Sequence, residues 1–259
     1  MILSRLPRLM LGLAGIGIAA ALVTVPASAE MNATQRGEIE GIIKDYLLKN
    51  PDVLRDALAE MERKQKADDD AARARAVADQ APLIFNSPRQ AVLGNPNGKV
   101  TLVEFFDYNC GYCKKALDDL AKLVKEEPDL RVVIKDFPVL GPGSVEAAEV
   151  ATALRLQIKG DKYWQFHQKL LSTKGQVGKA QAYAVAREFG ADIAKLEKDV
   201  ADPATKASIQ EVMQIADTLQ LTGTPSYVVA DDVVVGAVGY DALKARVENV
   251  KKCGKSSCG

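Results

Sequence analysis

Net charge is missing from this chain: 34 lysines and arginines stand against 34 aspartates and glutamates. With no excess of either sign there is no basic face for a phosphate backbone, and nucleic acid is not expected as a partner. Cysteine is scarce. Four cysteines in 259 residues are too few to staple a scaffold, and a chain of this length can bury an ordinary hydrophobic core instead. Histidine is scarcer still. His167 is the sole one, and it lies far in sequence from every cysteine, so a zinc site built on a cysteine pair would be short of two ligands. Beyond residue 23 no apolar run approaches the roughly 20 residues that cross a bilayer.

What is present starts at the N-terminus. Arg5 and Arg8 precede an apolar run from Leu9 to Val23, and Ala27-Ser28-Ala29 supplies the small residues of a cleavage site. A membrane anchor is the alternative, but the run is short for a span. The expectation is a signal peptide over residues 1–29, cleaved after Ala29, and an exported chain. Its loss leaves 32 basic against 34 acidic residues, so the charge argument is unchanged.

Residues 30–83 read as a helical segment set apart from the rest. Ile39, Ile42, Ile43, Tyr46 and Leu47 fall at helical spacing. Asn50-Pro51-Asp52 marks a new helix start: an N-cap, a proline at the first helical position and an acid in the first turn. Val53, Leu54, Ala57, Leu58 and Met61 continue an apolar stripe, whereas from Glu62 to Gln80 Val77 is the one large apolar residue. Two short stripes cannot make a core, because isolated helices of this size are marginal in water. They pack either on the downstream domain or on copies of themselves. A solvated helical linker behind them favours self-association through residues 34–61.

From about residue 84 to 252 the order of elements is β, β-α-β, helices, β-β-α. Val100 to Phe106 is nearly continuous in apolar residues, as a strand covered on both faces should be. A helix from the Cys110 region to about Lys125 and a strand over Arg131–Phe137 complete a parallel crossover. Helical patterns over 145–158, 164–171, 180–189 and 204–219 fill an insert at about 144–220. Ser226–Ala230 and Val233–Val238 then form a hairpin turning at Asp231-Asp232, and 240–251 closes the fold. This is an α/β fold, a thioredoxin core with an inserted helical domain and an N-terminal helical stalk.

Cys110-Gly111-Tyr112-Cys113 carries the chemistry. A strand that delivers a CxxC pair onto a helix start is the layout of a thioredoxin-type redox site. The helix N-terminus favours a thiolate at Cys110, and Cys113, one turn in, is placed to release a mixed disulfide. A plain disulfide or half of a metal site is the bland alternative. Glu104 stands in the apolar strand six residues earlier. If buried it is costly without a role or partner, its carboxyl is pushed up by desolvation, and it can exchange a proton with Cys113; a solvated strand face is the other reading. Thr224-Pro225 opens the hairpin, and on residues alone a trans bond is the ordinary expectation.

The run Val103-Glu104-Phe105-Phe106-Asp107-Tyr108-Asn109-Cys110-Gly111-Tyr112-Cys113, the helical insert and Thr224-Pro225 together resemble the DsbA family of thiol:disulfide oxidoreductases over about residues 84–252. Ile39 to Leu58, with Tyr46-Leu47-Leu48-Lys49-Asn50-Pro51, resembles the N-terminal region of the ScsC (suppressor of copper sensitivity) group. The resemblance implies Cys110 as nucleophile, Cys113 as resolving thiol, Glu104 as buried acid and a cis bond that sets Thr224 and Pro225 beside the dithiol for substrate binding. It also implies periplasmic work on unfolded or misoxidised exported proteins, a membrane thiol-transporter as reductant, no cofactor, and a homo-oligomer, a trimer in particular. Family oxidases carry Pro-His where this chain has Gly111-Tyr112. Without a histidine to stabilise the thiolate the pair should be less oxidising, which favours an isomerase or reductase over a DsbA-type oxidase. A copper-sequestering protein is the reading from another class. The tail cysteines, Cys253 and Cys258, fit a second, local disulfide, a soft-metal tail for copper(I) or a further redox pair.

Overall fold

The computed structural model describes residues 31–258; the expected signal peptide and its cleavage site lie outside the described residues. The chain divides into two compact units, one ending at Ala59 and one beginning at Glu60.

The N-terminal unit holds α1 (Ala33–Lys49) and the start of α2 (Pro51–Asn86). Asn32 and Gln35 cap α1 reciprocally: the Gln35 amide donates to Asn32 Oδ1 at 2.9 Å and the Asn32 amide to Gln35 Oε1 at 3.1 Å. At the other end the Asn50 amide and side chain both donate to the Tyr46 carbonyl. Pro51 then opens α2, as its fixed φ and missing N–H allow. The apolar residues of this unit have no cover. Ile39, Ile42, Ile43, Tyr46, Leu48, Val53, Leu54 and Leu58 are all exposed, and α1 has no buried residue.

The second unit takes in the rest of α2. Its early turns are solvated and carry helix-surface pairs, Arg63 with Glu60 and Lys66 with Asp70. Its last turns are not. Val77 and Ile84 are buried in the core, although the sequence offers little for this stretch to bury. There follow β1 (Ala91–Gly94), β2 (Val100–Phe106), α3 (Gly111–Glu126) and β3 (Leu130–Asp136). The helices α4 (Pro142–Leu154), α5 (Gly160–Leu171), α6 (Lys179–Glu188), α7 (Ile193–Ala201) and α8 (Pro203–Thr218) come next, then β4 (Ser226–Val229), β5 (Asp232–Val235) and α9 (Tyr240–Cys253). Sequence periodicity missed α7. It is one short stripe, Ile193, Leu196 and Val200, behind an Asp192 cap. The hairpin turns one residue earlier than expected, at Ala230-Asp231, with Ala230 at φ 52°.

The sheet runs β1-β3-β2-β4-β5, with β2 and β3 parallel and every other pair antiparallel. Strand alternation splits the core into two layers. Leu102, Phe106, Val132, Ile134, Tyr227 and Val229 face the apolar sides of α3 and α9. Val103, Phe105, Val133 and Val228 face α8 and the end of α2. Each fully buried Leu or Phe here contributes about 1.5–3 kcal/mol. Lys135, also buried, lies in the second layer and donates to the Leu83 carbonyl at 2.6 Å. Its ammonium thereby satisfies a carbonyl in the last turn of α2, while burial pulls its pKa down to about 8.

Candidate active site

The central strand β2 ends at Phe106, and three residues turn the chain into α3. Asp107 makes the turn. It is buried, and its carboxylate accepts from the Asn109 amide (2.7 Å), the Ser144 hydroxyl (2.7 Å) and the amides of Val139 (2.8 Å) and Leu140 (3.0 Å). The bond to Asn109 closes an Asx turn. Asn109 then clasps the backbone of Val177, accepting from its amide at 2.7 Å and donating to its carbonyl at 2.8 Å. Lys114, in the first turn of α3, reaches the Thr173 carbonyl at 2.7 Å. The start of α3 is thus tied to the inserted helices at several points. Sequence reading quoted Asp107 and Asn109 without giving them a task, and it passed over Ser144 and Lys114. An acid and an amide between a buried strand and a helix start were the available signal.

Cys110 is the N-cap of α3. Its sulfur accepts from the Cys113 amide at 3.4 Å, and its thiol donates to the Thr224 carbonyl at 3.1 Å. A hydrogen bond with the Cys113 thiol is the largest cause that draws the Cys110 pKa down, to about 5; burial opposes it, and the Thr224 side chain and the Cys113 and Tyr112 amides assist. Cys113 is fully buried, and its bond to the Cys110 sulfur, its burial and the Glu104 charge, in that order, push its thiol far up. Both cysteines are free thiols. Cys110 is therefore the thiol that ionises first and Cys113 the one that keeps its proton, the division of labour that disulfide exchange needs.

Glu104 lies in the same layer and is 1% exposed, so the solvated alternative for it is excluded. Burial pushes its carboxyl up to about 8, opposed by the Tyr227 hydroxyl and reinforced by the Cys110 charge. The Thr224–Pro225 bond is cis, against the ordinary expectation from the residues alone and as the resemblance implied. Gly111 has open space around it, and Tyr112 is 66% exposed with the Lys115 ammonium 5.6 Å from its ring. His167 sits apart in a buried aromatic cluster with Phe106, Tyr108 and Trp164, held neutral because burial lowers its pKa to about 3. Among the described residues no group of three or more His, Cys, Asp or Glu is placed to hold a metal ion.

Cys253 and Cys258 are joined in a disulfide. The loop they close rests on the hairpin turn, where the Ser256 amide and hydroxyl both donate to Asp231. Asp231 follows β4 and Thr224 precedes it, so this second disulfide and the Cys110 thiol lie at opposite ends of that strand.

Known proteins share this fold. The crystal structure of a thioredoxin-like oxidoreductase from Silicibacter pomeroyi DSS-3 is 41% identical, covering 66% of this chain and 98% of that one with a TM-score of 0.63. Proteus mirabilis ScsC in a transitional conformation is 28% identical and covers 85% and 97% at a TM-score of 0.63. A periplasmic thioredoxin-like protein from Salmonella enterica serovar Typhimurium is 31% identical over 65% and 94%, with a TM-score of 0.60. The chain also matches the Na(+)/H(+) antiporter NhaA 1 of Salinispora arenicola at 29% identity, spanning about a quarter of that protein (24%). Residues 35–68 match the copper resistance protein ScsC N-terminal domain. Residues 101–248, more than half the chain, match the DSBA-like thioredoxin domain, so the chain belongs to the DsbA-like family of thiol-disulfide oxidoreductases and carries an ScsC-type N-terminal domain ahead of it.

Proposed function

We propose that this protein is a periplasmic thiol:disulfide interchange protein that works chiefly as a disulfide isomerase and reductase. The Cys110 thiolate attacks a disulfide in an exported protein. One substrate sulfur leaves as a thiolate, and the other is held in a mixed disulfide with Cys110. If a second substrate cysteine attacks that bond, Cys110 returns as thiolate and the substrate disulfide has been moved. If Cys113 attacks instead, the substrate is released reduced and a Cys110–Cys113 disulfide forms. The Cys113 proton passes to Glu104, and a membrane thiol-transporter is the reductant that restores the dithiol. Thr224, whose carbonyl faces Cys110, and Pro225 line the place where an extended substrate segment would lie.

The observation that carries the isomerase reading is the uncovered apolar face of the N-terminal unit. Exposed apolar faces of this kind mark association surfaces, and several dithiols held in one oligomer raise the effective concentration of a second site once one has engaged. The absence of a cation between the cysteines supports the same direction. The low pKa of Cys110 favours the other reading, a DsbA-type oxidase, because it stabilises the reduced form.

Deleting residues 31–59, which leaves Val77 and Ile84 in place, separates the two. We expect the shortened protein to lose isomerase activity on a scrambled multi-disulfide substrate and to retain disulfide reduction. In cells, alkylation trapping should find Cys110 reduced. Full isomerase activity in the shortened protein would overturn the link between isomerisation and the N-terminal unit, and Cys110 trapped mostly oxidised would reverse the assignment in favour of the oxidase.

A further inference from the structure

Tyr227, whose hydroxyl opposes the rise in the Glu104 pKa, has as yet no part in the exchange itself, although it is placed against the proton acceptor. It pairs with Glu104 directly across the β4–β2 ladder, and opposite residues on an antiparallel pair project to the same face with Cβ atoms about 5 Å apart. Both side chains are fully buried, Glu104 at 1% and Tyr227 at 0% exposure. Each leaves an oxygen without a hydrogen bond of ordinary geometry, Glu104 Oε2 and Tyr227 Oη. Neighbours on that face, Leu102, Phe106, Ile134 and Val229, are apolar. A phenylalanine would fill the same volume without burying a hydroxyl, and buried hydroxyls are normally bonded.

We propose that Tyr227 is a positioning residue for disulfide exchange, its hydroxyl turning to donate to Glu104 whenever that side chain is a carboxylate. The proposal rests on Glu104 as the acceptor of the Cys113 proton. In the step concerned, Cys113 sulfur bonds to Cys110 sulfur and the bond from Cys110 to the substrate sulfur breaks. The substrate sulfur leaves with the electron pair and takes a proton from water, while the Cys113 proton goes to Glu104. The substrate disulfide is reduced and the dithiol oxidised. Only an ionised Glu104 can accept the proton, and burial works against that ionised form. A donor placed opposite offsets part of the cost.

The charged and titratable groups that act on this pair are few. Cys110 and Cys113 face it from the start of α3, and Asp119 adds a negative field one to two turns further along that helix. From α9 the buried side chains are Leu243 and Val247, and β3 places Ile134 beside Glu104.

The test uses the reduced full-length protein and oxidised glutathione. The lifetime of the Cys110–glutathione mixed disulfide is measured by acid quench and mass spectrometry from pH 5 to 10. In Tyr227→Phe the midpoint of the rise in resolution rate should move up by about one pH unit, as loss of a hydrogen bond to a charged group implies. Resolution at pH 7 should slow about tenfold, while the urea midpoint stays level or rises because an unpaired buried hydroxyl has gone. Tyr227→Met, which also lacks the hydroxyl, should reproduce the shift. A midpoint that does not move in either variant overturns the role of Tyr227. Glu104→Gln tells the two ideas apart: it should abolish the midpoint, and if it leaves the profile as it was, the proton-acceptor reading of Glu104 falls first and that of Tyr227 with it.

Discussion

A carboxyl buried without a cation makes stability depend on pH in a direction opposite to the usual acidic residue. The Glu104 carboxyl titrates near 8 in the fold against an ordinary 4.5. Between those values the unfolded chain ionises and the folded one does not. The contribution is therefore whole below about 4.5 and lost as the pH rises through 8. The two pKa values differ by enough to weaken the fold by about 5 kcal/mol at most. Urea unfolding of the oxidised protein, in which Cys110 no longer titrates, should show stability falling across that window. Glu104→Gln should lack this loss, so that it gains on the parent across the window and is the more stable at pH 9, while His167 and Asp136 titrate alike in both. Parallel profiles for parent and variant would mean that the carboxyl is not buried in solution. The cost falls on the folded state and the benefit on the resolving step, so a change that slows Cys113 is expected to strengthen the fold.

At the scale of elements, the turn between β2 and α3 is held by polar bonds as well as by the packing of Tyr108 in the core. Asn109 is the hinge of that arrangement, because its amide satisfies both the N–H and the C=O of Val177. Asn109→Ala leaves both groups unpaired in a part-buried place and should cost about 2–3 kcal/mol in urea unfolding. It should also raise the Cys110 thiol pKa, read from thiolate absorbance, as the N-terminus of α3 loosens from its fixed position. An unchanged thiol titration in the folded variant would show that the clasp only stabilises. Strands, α3 and the CxxC were legible in the residues because hydrophobic period and motif spacing are local signals. The helix α7 was not, because nine residues with one buried side chain, Leu196, give too short a pattern. The burial of Val77 was hidden for a different reason. A lone valine in a charged helix carries no periodicity, and its place in the core follows from Ile84 and Lys135 fastening the end of α2. Tyr227 and the Val177 clasp were invisible because both depend on pairing partners more than 60 residues away in the chain.

For the molecule as a whole, the question is why a redox domain with a closed core carries a unit that has none. The second unit buries its apolar residues in two layers around one sheet, whereas α1 buries nothing. Helices of that length hold together in water only when an apolar face is covered. Ile39 and Ile43 on α1 and Leu54 and Leu58 on α2 are exposed in the single chain, and the same residues on other copies would cover them. We predict that light scattering will find an oligomer that dissociates on dilution. The double substitution Ile43→Asp and Leu54→Asp should give a monomer with reduced helicity and an unchanged urea transition for the second unit. Burying two carboxylates in an apolar seam is costly, whereas on an exposed face they are harmless, so the pair discriminates between the two situations. Isomerase activity should fall with the mass, and reduction of a small soluble disulfide should not. A parent protein that is monomeric at every concentration would remove the observation that carries the isomerase reading, and the low pKa of Cys110 would then outweigh the missing cation and favour an oxidase.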